Sequence, residues 1–167
     1  MGMNRNAEAL VEQAGSYAHL FDRVSLGGRF DGASSAGPIR VSTDQELLEA
    51  TASLSRLRRL VDAELSALSG EIARRSEPRD TSLARKMGAG SAVNLVAQVT
   101  GVPRAQAGTM VASGEAFRPR ENPFTGEALP AKYPQLAAAF ADGLLDPEVA
   151  AAMRRALAKA APGLAPF

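Results

Sequence analysis

The stretch SAVNLVAQVTGVPRAQAGTMVASG, Ser91 to Gly114, decides the fold. Its apolar spacing predicts two short helices joined by a tight turn at Gly101. Ala97 stands four residues before that glycine and Val102 directly after it, while Ala107 and Met110 take the inward-facing positions of the second helix. A small residue lets two helices approach, a glycine takes the left-handed turn, and an apolar set locks the second helix across the first. This is the spacing of a helix-turn-helix, which places its second helix in the major groove of DNA. The same unit also joins helices in all-α domains that bind no nucleic acid, so the pattern leaves both roles open.

The surrounding composition suits an all-α protein. The 167 residues are enough for one domain with a core and an appendage. Hydrophobic residues make up 46% and charged residues 22%, an ordinary globular balance. Aromatics are only 5% and Trp is absent, so the core is built from Leu, Val and Ala, and Ala and Leu favour helix. With no cysteine there is no disulfide, thiolate metal site or cysteine nucleophile, which suits a reducing cytoplasm. No apolar run approaches the roughly 20 residues of a membrane span. The N-terminus also lacks a basic segment followed by an apolar one. The expectation is a cytoplasmic protein with neither a membrane segment nor a signal peptide.

Net charge is +1 but uneven. Residues 1–50 carry a net −3, residues 51–120 a net +5 from eleven basic and six acidic side chains, and the remainder a net −1. The positive field therefore centres on the helix-turn-helix segment, and an anionic partner is expected there.

Outward from that segment, Asn6 to Val24 has the periodicity of an amphipathic helix, with Leu10, Ala14, Tyr17, Phe21 and Val24 on one face. Gly27 and Gly28 end it, and a Gly/Ser-rich linker with Pro38 runs to Ser42. Thr43-Asp44-Gln45-Glu46 is a capping box that opens a long helix to about Ser76. Leu47, Leu54, Leu57, Val61, Leu65, Leu68 and Ile72 give that helix a near-heptad stripe. Such a stripe buries along a partner helix, in a bundle or in a homodimer. Glu77-Pro78 stops the helix, and a short helix over 81–87 precedes the helix-turn-helix unit. Residues 117–131, with Pro119, Pro123, Gly126 and Pro130, are expected to be a loop. A short Ala-rich helix over 134–141 ends at Gly143. Asp146-Pro147-Glu148 starts another helix, which Pro162 and Gly163 end. Ala139 and Gly143 repeat the spacing of Ala97 and Gly101, suggesting a second hairpin.

If Pro103 to Ser113 is a recognition helix, Arg104, Ala105, Gly108 and Thr109 meet base edges, with Gln106 at the margin. Arg104 suits a guanine edge and Gln106 an adenine. Arg85, Lys86, Arg118 and Arg120 flank the unit and are candidates to hold phosphates. Arg56, Arg58, Arg59, Arg74 and Arg75 read as the solvated face of the long helix, part-neutralised by Asp62 four residues after Arg58. His19 has no ligand set around it. Asp44, Glu46, Glu49, Asp146 and Glu148 are explained by capping and the helix dipole. No phosphate-cradling loop, nucleophile elbow or zinc spacing occurs. No cofactor, metal or small-molecule substrate is therefore expected, and no enzymatic activity of this chain alone.

The order of these elements resembles the actinobacterial domain of unknown function 222, also called the 13E12-repeat family. The likeness is carried by the long helix, by SAVNLVAQVTGVPRAQAGTMVASGEAF and by LPAKYPQLAAAFADGLLDPEVAAAMRRAL, with Leu129-Pro130 and Gly143-Leu144-Leu145 the most telling. It covers about residues 45 to 160. Members usually carry this domain ahead of an HNH nuclease domain. The resemblance implies association with DNA-processing proteins. HNH chemistry needs a general-base His and a metal-binding His. The single histidine, His19, lies outside the matched region, so that chemistry is not expected here.

The expected architecture is an all-α helical bundle with one long helix and a helix-turn-helix-like hairpin. Residues 1–42 form an N-terminal helix and linker, and residues 43–167 a helical domain holding the unit at 91–114. The expected role is binding double-stranded DNA or positioning a target. The competing role is a structural or oligomerisation module that pairs through the long helix.

Overall fold

The computed structural model describes residues 8–16, 18, 43–78, 80–122 and 124–160. Residues 8–16 are helical (α1). The long helix α2 runs Asp44–Ser76, followed by α3 (Leu83–Lys86), α4 (Ala92–Thr100) and α5 (Arg104–Phe117). A two-residue strand pair, β1 (Arg120–Glu121) and β2 (Ala128–Leu129), precedes α6 (Pro134–Ala141) and α7 (Pro147–Ala160). The all-α expectation holds. No described helix is long and apolar enough to cross a membrane.

Side-chain caps set the helix boundaries. The Thr43 hydroxyl accepts from the Glu46 amide at 3.3 Å, and the Glu46 carboxylate accepts from the Thr43 amide at 2.9 Å. This is the reciprocal box predicted from Thr43-Asp44-Gln45-Glu46. Ser82 and Ser91 accept from Arg85 N and Asn94 N to start α3 and α4. The Asp146 carboxylate accepts from Glu148 N at 2.9 Å and starts α7 with Pro147 at its first position.

The chain forms two compact units, Met1–Val61 and Asp62–Phe167, with the division inside α2. In the first, the Gln13 amide donates to the Ser53 hydroxyl at 2.8 Å and the Ser53 carbonyl at 3.3 Å, tying α1 to α2. Tyr17, His19, Phe21, Val24, the Gly27–Gly28 stop and the linker to Ser42 lie outside the described residues, as do Pro162 and Gly163.

In the second unit, α2 contributes small residues to the core. Ala63, Ser66, Ser69, Gly70 and Ala73 are buried. The Ser66 and Ser69 hydroxyls donate to the Asp62 and Leu65 carbonyls of their own helix, so neither is left unpaired. The reason for small residues is the approach of α5. A Cβ on Gly70 would stand 2.6 Å from the Gly114 carbonyl carbon. A Cβ on Gly114 would overlap the Ser66 carbonyl oxygen and lie 2.6 Å from Gly70 N. The two backbones touch, and only glycine fits at either position.

Within one chain the predicted stripe is only partly buried. Leu65 and Ile72 pack against the core, but Leu54 and Leu68 remain 46% and 60% exposed. The face that seats α2 in this unit is the one bearing Gly70, where large side chains would hold α5 too far away.

The core has two parts. Ala73, Val96, Ala107, Met110 and Val111 form one cluster, with Leu65, Ile72, Val93, Ala97 and Val102 against it. Ala63, Phe140 and Ala150 form the other, flanked by Phe117 and Leu145, with the Phe117 and Phe140 rings 4.9 Å apart. The predicted loop over 117–131 is more ordered than expected. Phe117 closes α5, and β1 and β2 pair antiparallel, Arg120 opposite Leu129. The Asn122 carboxamide oxygen accepts from Phe124 N and Thr125 N, and Gly126 takes a left-handed φ of 71°, closing a hairpin.

Two alanine substitutions in α5 should act in opposite directions. Gly108→Ala meets only the Val93 methyl, at an ordinary 3.9 Å, and should raise stability by about 1 kcal/mol through helix propensity. Gly114→Ala forces the helices apart and should cost about 3 kcal/mol or more. Urea midpoints of the two variants check this. Equal effects would mean that the α2–α5 contact is looser than described.

Candidate nucleic-acid interface

The helix-turn-helix segment folds as the spacing predicts. Gly101 ends α4 with φ 72°, and its amide donates to the Ala97 carbonyl at 2.9 Å. Val102 then turns into the core cluster. Pro103 caps α5 through its backbone, its carbonyl accepting from Ala107 N at 3.0 Å, and the first helical residue is Arg104. Ala107 is fully buried, and Met110, Val111, Ser113 and Gly114 share its face. The recognition arm expected over 103–113 runs on to Phe117.

This inward face fixes what the outer face shows. Arg104, Ala105 and Gln106 are exposed in the first turn. Gly108 and Thr109 are half-buried, and the Thr109 hydroxyl donates to the Ala105 carbonyl at 3.2 Å, engaged within its own helix. The outward first turn therefore offers a guanidinium and a carboxamide, next to amide groups at the positive end of the helix dipole.

The flanking cations fall into two groups. Arg85 and Lys86 are exposed on α3. Arg118 and Arg120 stand at the far end of α5, which at 14 residues and about 1.5 Å each puts them ~20 Å from Arg104. Arg118 is half-buried with its amide on the Gly114 carbonyl. Arg120 donates through Nε to the Pro130 carbonyl at 3.2 Å and braces the hairpin. One patch does not hold all seven residues singled out in the sequence.

Sequence reasoning placed Arg74 and Arg75 on a solvated face without function. They are exposed, but ordered by Glu71. Arg74 donates Nε and Nη2 to the Glu71 carboxylate at 2.7 and 2.6 Å, and Arg75 donates Nε at 2.6 Å. These bonds, Arg74 first, lower the Glu71 pKa from its ordinary 4.5 to about 2 and raise that of Arg74. The i,i+3 and i,i+4 spacings of this triad are legible in the sequence. Its place beside Lys86 in one cleft is not, because it depends on how α3 packs back on the end of α2. Among the described residues, no group of three or more His, Cys, Asp or Glu side chains could hold a metal ion.

Comparison with protein-family models, with curated proteins and with solved structures finds no match to this chain.

The Glu71 triad has a pH signature. The carboxyl titrates lower in the folded than in the unfolded chain, so its contribution is full above about 4.5 and fades as pH falls towards about 2. The effect is small, because solvent screens an exposed pair. Glu71→Gln should flatten the decline of the urea midpoint between those two pH values. An unchanged slope would show the triad to be thermodynamically silent.

Proposed function

We propose that the second unit, Asp62–Phe167, is a DNA-binding module that sets the first turn of α5 into the major groove of a duplex. The observation that carries this reading is the orientation of α5. Its Ala107–Met110–Val111–Gly114 face is buried, and Arg104 and Gln106 project to solvent beside the amino end of the helix. Arg104 reads a guanine edge, Gln106 an adenine, and Thr109 lies at the margin of the contact. Of the flanking cations, Arg85 and Lys86, exposed on α3, serve the sugar–phosphate backbone. The likeness to the domain that precedes HNH nucleases supports target positioning in a cytoplasmic DNA-processing system. Nothing in the reading assigns catalysis to these residues.

A second reading, self-association, draws on a separate observation. Leu47, Leu54 and Val61 recur every seven residues along the part of α2 in the first unit, and all three are exposed. An exposed heptad line suits a second helix with the same repeat.

Fluorescence anisotropy with a labelled 20-base-pair duplex tests the first reading. Binding should be micromolar at about 50 mM salt and weaken steeply towards about 200 mM. Arg104→Ala should cost about tenfold in affinity. No binding at low salt would remove the proposal. Sedimentation equilibrium tests the second reading, with a dimer that Leu54→Glu dissociates as the expected result. A monomer at every concentration would dismiss it.

A further inference from the structure

We propose that Arg75 and Lys86, with Arg74 behind them, form a seat for a backbone phosphate of the bound duplex. This inference rests on the DNA reading above and names which cations hold the sugar–phosphate chain.

The seat is assembled by the reversal between α2 and α3. The Ser76 hydroxyl donates to the Ile72 carbonyl at 2.7 Å and accepts from Ala84 N at 3.2 Å, pinning the start of α3 to the end of α2. Between them opens a cleft of about 400 Å³ lined by Arg74, Arg75, Pro78, Thr81, Leu83 and Lys86. That volume admits a phosphodiester with part of its sugar. Three cations from two helices line it, together with Thr81.

The local charges decide which cations act. Glu71 is ionised at neutral pH and offsets one guanidinium charge. It also holds Arg74 and Arg75 in fixed positions, so less side-chain freedom is lost when an anion arrives. Glu77 and Glu121 act electrostatically on Arg74, which is therefore the most compensated of the three. Asp80, just before Thr81, is exposed. Arg75 commits only Nε to Glu71, leaving its terminal nitrogens, and among the described residues Lys86 has no carboxylate partner within ion-pair distance. Two charge-assisted donors lining one cleft from separate helices suit a phosphate oxygen pair. Arginines in the last turn of a helix also complement its dipole. Dipole complementation alone does not account for Lys86 on a separate helix lining the same cleft.

The test is the salt dependence of duplex binding, measured by anisotropy on wild type, Arg75→Gln/Lys86→Gln, Arg75→Lys/Lys86→Arg and Arg104→Ala. Each phosphate contact contributes about 0.9 to the slope of log affinity against log salt. The Gln double variant should lose between one and two such contributions and bind at least tenfold more weakly at low salt. The charge-conserving variant should keep most of the slope. If the Gln variant retains the wild-type slope while Arg104→Ala weakens binding, the seat is wrong and the DNA reading stands. If wild type does not bind the duplex, both fall. Equal loss in the charge-conserving and Gln variants would attribute the effect to packing and overturn the seat.

Discussion

Two backbones in contact, Gly70 of α2 against Gly114 of α5, govern the second unit. With no Cβ at either position the helix axes approach more closely than larger side chains allow. Ala63, Ser66, Ser69 and Ala73 continue the narrow face along α2, and Ala107 serves the same end on α5. The attraction across this seam comes from many close van der Waals contacts, each worth only about 0.1–0.2 kcal/mol. It fixes the rotation of α5 about its own axis. Turning Ala107 and Gly114 inward leaves Arg104 and Gln106 facing outward. The candidate interface is thus a consequence of the crossing.

The two helical hairpins share a left-handed glycine but close differently. At Gly101 a single amide-to-carbonyl bond to Ala97 ends α4, and the chain enters α5 after two residues. At Gly143 two bonds, Gly143 N to the Phe140 carbonyl and Leu144 N to the Ala139 carbonyl, make a Schellman arrangement. The first is the tighter connection and keeps α4 and α5 in one compact pair. The second sets α7 on its course, placing Ala150 beside Phe140. The hairpin after α5, braced by Arg120, links these two parts of the unit.

Much of this was legible because it is local. The caps at Thr43 and Asp146, the turn at Gly101 and the inward positions Ala107 and Met110 all depend on residues within one helical turn of each other. The α2–α5 contact was not legible. Gly70 and Gly114 look like weak points in their helices until the partner backbone is known. The leucine stripe did not reveal it either, since apolar periodicity records hydrophobicity and not how closely another helix comes. β1 and β2 are too short to show alternation, and the prolines around them argue for loop. At the candidate interface the exposure of Arg104 and Ala105 was foreseen, but the half-burial of Gly108 and Thr109 was not, and the cleft joining Arg74, Arg75 and Lys86 depends on a chain reversal that no residue spacing encodes.

A seam of Ala, Ser and Gly has a calorimetric consequence. It brings atoms into contact while withdrawing little hydrocarbon from water, and the rise in heat capacity on unfolding scales with the hydrocarbon exposed. Melting this unit should uncover less than a leucine-lined bundle of equal length would. Its free energy of unfolding should therefore trace a shallow dome against temperature, changing little on cooling.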